Sequence, residues 1–238
     1  MNSPDSTRIL VVDYGKGNVR SVIKSLEQIG VQVVFSRRAA DVYNVNGIVL
    51  PGVGSFADAA ASLSETGQLE ALGEVLSEGM PFLGICLGAQ LLMESGEEGV
   101  AEVTNRFSPD ATWVRGMALV EGYCLKLPNV DDEGRVYKIP HVGWNQVHYG
   151  ESPQVRAALE ALMQGVADDS NMYFTHSYQC VTRRAEDTLA TTLHAQPYPS
   201  IIRRKNAFGV QFHPEKSSAK GLQVLANFVR FAASEAGR

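Results

Sequence analysis

Apolar and polar positions in the first half of the chain follow two alternating periods. Residues 8–13 (RILVVD) form a nearly unbroken apolar, β-branched run, the pattern of a strand covered on both faces. From Asn18 to Ile29 the apolar residues fall at 19, 22, 23, 26 and 29. That spacing marks one face of a helix, and Gly30 closes it. Residues 31–35 predict a second strand, and Gly47 to Leu50 a third that ends at Pro51-Gly52. Helical patterns follow around 56–64 and 68–77, then a strand over 82–85, then a helix from Ala89 to Ser95. Continuous apolar strands, each followed by a helical segment, predict a parallel sheet with helices on both faces.

The second half carries a different rhythm. Strand patterns lie near 117–127, 143–149, 171–178, 188–193, 200–205 and 207–212, mostly separated by short turns. Short turns join antiparallel neighbours, so these segments predict an antiparallel extension of the same sheet. A helical patch spans 159–163, and Ser218 to Ala232 is a closing amphipathic helix. No repeat, low-complexity tract or Pro/Ser-rich linker divides the 238 residues, so the expectation is one α/β domain over 1–238.

Composition narrows the function classes. Hydrophobic residues make up 45% and charged residues 20%, enough for a full core and too apolar for disorder. The net charge of −5 gives no support to a nucleic-acid surface. Cys86, Cys124 and Cys180 are odd in number and widely spaced, which fits neither a disulfide framework nor a paired metal site. No metal and no cofactor are expected. Met1 to Asp5 lacks the start of a secretory signal, and no window has membrane-spanning apolar length. These features predict a cytoplasmic protein with free thiols.

Candidate chemistry centres on Gly84-Ile85-Cys86-Leu87-Gly88, which joins a predicted strand to a predicted helix. This is the layout of a nucleophile elbow, in which flanking glycines remove the Cβ atoms that a tight turn would crowd. The following helix start favours a thiolate and offers the Leu87 N–H to an oxyanion. A thiolate nucleophile requires an acid–base partner held by a third group. His213 ends the run Phe208-Gly209-Val210-Gln211-Phe212 and is followed by Pro214-Glu215. Residues two apart on an extended chain share a side, so Glu215 is placed to orient His213. Gly52-Val53-Gly54, after the third strand, allows backbone N–H groups to approach a ligand. Trp113, Cys124, Cys180, His148 and His194 receive no role. The charged stretch 131–135 reads as a solvated loop.

The segments Gly84 to Gln90 and Phe212-His213-Pro214-Glu215 together resemble the signature of the class I (triad) glutamine amidotransferases. Other segments resemble the family's glutaminase subunits of imidazole glycerol phosphate synthase: Asp13-Tyr14-Gly15 with Gly17-Asn18, Pro51 to Phe56, Pro140 to Asn145, Tyr173 to Tyr178, and Lys216-Ser217. The likeness runs from about residue 8 to 232, and is weakest over 128–138 and 155–170. It implies a flavodoxin-like amidotransferase fold: a central, mostly parallel sheet, helices on both faces, and the antiparallel extension. It also implies a Cys86-His213-Glu215 triad and an oxyanion hole from the Leu87 and Val53 N–H groups. Gly52, Gly54, Gln90, Glu94, His176, Ser177 and Tyr178 would grip glutamine. Ammonia would pass to a (β/α)8-barrel cyclase in a heterodimer, with His141, Trp144 and Lys216 near that interface. A paralogue feeding another acceptor, such as a surface-sugar pathway, is the alternative.

Overall fold

The computed structural model describes residues 7–15, 19–99 and 113–235. Met1 to Asp5, Gly17 and Asn18 lie outside the described residues. The first half forms β1 (Arg8–Val12), α1 (Val19–Ile29), β2 (Gln32–Ser36), β3 (Gly47–Gly52), α2 (Phe56–Glu65), α3 (Gln68–Ser77) and β4 (Phe82–Cys86). The side chains of β1 alternate between two cores. Ile9 and Val11 pack with Val22 and Leu26 of α1, whereas Leu10 and Val12 pack with Leu63 of α2 and Leu72 of α3. This two-sided burial is why the strand reads as an unbroken apolar run.

The second half contains β7 (Val120–Lys126), β8 (His141–Tyr149), α5 (Pro153–Met163), β9 (Ser170–His176), β10 (Tyr178–Thr182), β11 (Thr188–His194), β12 (Gln196–Arg204), β13 (Ala207–Val210) and α6 (Ser218–Glu235). The main sheet has nine strands in the order β2-β1-β3-β4-β13-β12-β11-β8-β9. Its pairings are parallel from β2 through β13 and antiparallel beyond. The parallel part has flavodoxin-like order, in which functional groups gather at the carboxyl ends of the strands. Among the described residues, no helix is long and apolar enough to cross a membrane.

Three expectations change. The helix predicted from Ala89 to Ser95 is only one turn, α4 (Leu87–Gln90), followed by β5 (Met93–Gly96). Leu91, Leu92 and Met93 are all fully buried, and Met93, Ser95 and Gly96 pair with β7. Tertiary pairing overrides a weak helical preference here.

The extension is also not the only second-half sheet. A separate four-stranded sheet has the order β10-β7-β5-β6, where β6 is Val114–Arg115. The predicted strand 171–178 is divided at Ser177: β9 joins β8 in the main sheet, and β10 joins β7 in the small one. His176, Ser177 and Tyr178 therefore sit where the chain changes sheets.

The strand predicted from 200 begins earlier, at Gln196, despite Pro197 and Pro199. Those prolines pair with β11, while β13 pairs only with Ile201 to Arg204. One edge of β12 is unpaired at the prolines, so their missing N–H groups break no ladder.

Candidate active site

β4 lies between β3 and β13, with Cys86 opposite Gly52 and Ile85 opposite Val210. Cys86 has φ 54° and ψ −107°, a sparsely populated conformation for a residue with a side chain. The turn is tight because backbone closes on backbone around it. A Cβ on Gly84 would stand 2.4 Å from the Gly88 carbonyl oxygen, and one on Gly88 would stand 1.9 Å from the Leu50 oxygen. The cysteine is 6% exposed.

His213 follows β13 by three positions, and its N–H donates to the Tyr173 carbonyl at 2.8 Å. Its Nδ1 lies 2.8 Å from Glu215 Oε1, and the two side chains are 3% and 4% exposed. The pair closes across the 3₁₀ turn Pro214–Lys216, not along an extended segment as expected; the proline supplies the turn's fixed φ. Burial pushes the imidazole pKa down. The Cys86 sulfur and the Glu215 carboxylate outweigh that effect and raise it to about 9. Nε2 makes no hydrogen bond of ordinary geometry among the described residues, which leaves that nitrogen for a reacting group. A small cavity beside the triad is lined by Val22, Gly52, Val53, Ile85, His213 and Glu215.

On its other side the sulfur meets a buried amide. Gln211 Nε2 donates to Cys86 Sγ at 3.5 Å. Gln90 Nε2 donates to Gln211 Oε1 at 3.2 Å and to the Tyr178 carbonyl at 2.9 Å. Gln90 is thus anchored between the elbow and β10. Gln211 carries no role in the sequence reading; its one signal is being the polar residue in an apolar run that ends at His213.

The Val53 N–H donates to the Tyr14 hydroxyl at 3.1 Å, and that hydroxyl donates to the Val53 carbonyl at 3.2 Å. Burial pushes the Tyr14 pKa up to about 12, so the hydroxyl keeps its proton. Gly54 beside it has φ 111°, and a Cβ on Gly52 would stand 2.5 Å from the Leu87 Cβ. Both glycines are therefore required by the backbone. Tyr14 is another residue whose part the sequence did not reveal.

His176 Nδ1 lies 2.8 Å from the Tyr178 carbonyl, which can only accept, so the proton sits on Nδ1. Burial lowers the His176 pKa to about 3, and the neutral ring accepts at Nε2 from Tyr198 Oη at 3.1 Å. Tyr198 then accepts from His141 Nδ1 at 3.0 Å, and His141 Nε2 accepts from Asn145 Nδ2 at 3.3 Å. Ser177 lends its carbonyl to the Leu127 N–H. Glu94, expected on a helix, lies in β5; its carboxylate accepts from the Gly122 N–H at 2.8 Å and faces Arg183 at 3.5 Å.

Among the predicted interface residues, Trp144 is 54% exposed and meets Tyr173 edge to face at 5.9 Å. Lys216 Nζ stands 5.9 Å from the same Tyr173 ring. His141 is only 5% exposed and stacks on His194 at 4.2 Å. Its ring packs among Phe174, His176, His194 and Tyr198 and does not present itself on this face. Tyr173, unassigned from sequence, joins the face to the triad through its bond from the His213 N–H. Among the described residues, no group of His, Cys, Asp and Glu is arranged to hold a metal ion.

The family profile described as "Glutamine amidotransferase class-I" matches residues 10–231. The chain is 39% identical over 224 residues to imidazole glycerol phosphate synthase subunit HisH of Geobacillus thermodenitrificans, covering 94% of this chain and 95% of the relative. It is 40% identical over 220 residues to the subunit of the same name from Moorella thermoacetica, covering 92% and 93%. The structure of PurLQS from Thermotoga maritima superposes with a TM-score of 0.66 at 16% identity, over 95% of this chain and 99% of that one; this likeness concerns the fold.

Proposed function

We propose a mechanism for this chain on the premise that it belongs to the glutamine amidotransferase class-I family and, within it, to the glutaminase subunits of imidazole glycerol phosphate synthase. The chain is an enzyme subunit of histidine biosynthesis that hydrolyses glutamine to glutamate and ammonia. The sulfur of Cys86, freed of its proton by His213, attacks the side-chain amide carbon. The Leu87 N–H, at the start of a helical turn, and the Val53 N–H stabilise the oxyanion. His213 Nε2 then protonates the leaving ammonia, and a thioester remains. The same nitrogen takes a proton from water, the water attacks the thioester, and glutamate leaves. Glu215 holds the Nδ1 proton throughout and stabilises the imidazolium.

Gly52, Gly54, Gln90, Glu94, His176, Ser177 and Tyr178 bind glutamine. The Gln90 amide nitrogen is already engaged, so its carbonyl oxygen is the end suited to the substrate's ammonium. Ammonia protonated in water is no longer a nucleophile, so the product passes directly to a cyclase subunit, a (β/α)8 barrel. That partner sits on the face formed by Trp144, Tyr173 and Lys216, in a cytoplasmic heterodimer.

The observation that carries the reading is the meeting of Cys86, His213 and Glu215 at the carboxyl ends of β4 and β13. The test is Cys86→Ala in the assembled enzyme. Glutamine-dependent synthesis is expected to vanish while synthesis from added ammonia continues. Surviving glutamine turnover would remove Cys86 as the nucleophile.

A further inference from the structure

We propose that Gln211 is a further catalytic residue, whose side-chain N–H holds the charge on the Cys86 sulfur. The proposal rests on Cys86 being the nucleophile. Its ground is a directional chain of hydrogen bonds that begins at a carbonyl. The Tyr178 oxygen can only accept, so the Gln90 side chain must turn its NH₂ group toward it, at 2.9 Å. A second hydrogen of the same NH₂ reaches Gln211 Oε1 at 3.2 Å. With its oxygen committed to Gln90, Gln211 turns its own NH₂ to the sulfur, at 3.5 Å. Reversing Gln90 would set its oxygen against the oxygens of Tyr178 and Gln211, and reversing Gln211 would set its NH₂ against that of Gln90 and leave a lone pair facing a thiolate.

Packing does not explain Gln211. It is 1% exposed and sits beside the fully buried Val210 and Phe212, where a Met or Leu would carry no polar group to desolvate. A buried amide aimed at the reacting atom has a chemical use. When the thiol proton moves to His213 Nε2, the sulfur gains a full negative charge, and a donor already in place needs no reorganisation. As the sulfur–carbon bond forms, that charge passes to the substrate oxygen. The thiol form has a different option, since Thr175 offers its carbonyl oxygen 3.9 Å from the sulfur.

Other titratable groups that act with Cys86 come from several elements: His213 with Glu215 after β13, Tyr14 after β1, Tyr198 on β12, Cys180 on β10 and Cys124 on β7. Substitutions at Gln211 leave all of these in place.

The experiment compares the pH dependence of Cys86 alkylation by iodoacetamide in the wild-type chain, in Gln211→Met and in Gln211→Leu, both without a donor and without a charge. In both variants the profile is expected to move to higher pH, with alkylation at neutral pH slowed about tenfold, the weight of one hydrogen bond to a charged acceptor. In the assembled enzyme kcat for glutamine should fall with little change in KM. If Gln211→Met fails to fold, Gln211→Leu, which likewise lacks a donor, carries the same comparison. An unshifted profile in either folded variant overturns the role of Gln211. That outcome is distinct from the failure of the glutaminase reading, which would appear as glutamine turnover in Cys86→Ala.

Discussion

The backbone N–H of Val53 points at the hydroxyl of Tyr14, 3.1 Å away, and that hydroxyl returns a bond to the carbonyl of the same residue at 3.2 Å. The peptide proposed as an oxyanion donor is thereby held by a side chain from just after the end of β1. Removing the hydroxyl in Tyr14→Phe breaks both bonds, of which the one that engages the Val53 N–H is worth about 1 kcal/mol. Glutamine hydrolysis by the isolated chain is expected to rise about fivefold, and the further gain on adding the cyclase to shrink by a similar factor. Steady-state rates with and without the partner check this. A fall in both rates would show that the hydroxyl assists catalysis directly.

Gly88→Ala tests the elbow. The added Cβ would meet the Leu50 backbone oxygen at 1.9 Å, and neither partner is a flexible side-chain end that can swing away. Overpacking of this kind costs about 1–3 kcal/mol and displaces Cys86 as well. Urea denaturation should show a lowered midpoint, and glutamine turnover should be lost even where the variant remains folded.

Trp144→Ala tests the docking face. The residue is 54% exposed, so its truncation should change the chain's own stability by less than about 0.5 kcal/mol. A buried aromatic anchor at an interface is worth about 2 kcal/mol or more. The cyclase complex should therefore weaken about thirtyfold, measurable by titration calorimetry. An unchanged affinity would move the interface elsewhere.

Histidines of opposite tendency set the pH window for stability. Burial, with the nearby His194 acting in the same direction, lowers the His141 pKa to about 4. For His176 burial is again the larger effect, and the pKa falls to about 3. Unfolding restores the ordinary value near 6.5, so below that pH the unfolded chain takes up protons that the native chain refuses. Stability should decline as pH falls from about 6.5 toward 4. His213 runs the other way. Its burial is outweighed by Cys86 and Glu215, and its pKa is raised to about 9. Its contribution is complete below about 6.5 and is lost as pH rises through 9. Urea midpoints across pH should show both limbs, with His176→Gln flattening the acid side and His213→Gln the alkaline side.

Much of this architecture was legible from local pattern. The double burial of β1 shows as an unbroken apolar run, and the helices Phe56–Glu65 and Gln68–Ser77 match their predicted spans within a residue. The glycines around Cys86 announce the elbow because the steric demand of that turn falls on its immediate neighbours. His213 and Glu215 are legible for the same reason, being two positions apart, although a 3₁₀ turn and not an extended segment brings them together. What stayed hidden depends on remote partners. Leu91 to Met93 look helical by spacing, but the strand Met93–Gly96 is decided by β7. Tyr14 enters the sequence reading only as part of the segment Asp13-Tyr14-Gly15, and its part appears when Val53 is brought to its hydroxyl, 39 positions away. Gln211 reads as a stray polar residue until the sheet sets it beside a sulfur 125 positions earlier. Periodicity and turn chemistry are short-range properties carried by the chain itself. The donor that faces a given buried acceptor is chosen only when distant strands are laid side by side, because an amide has no preferred direction until its partners are in place.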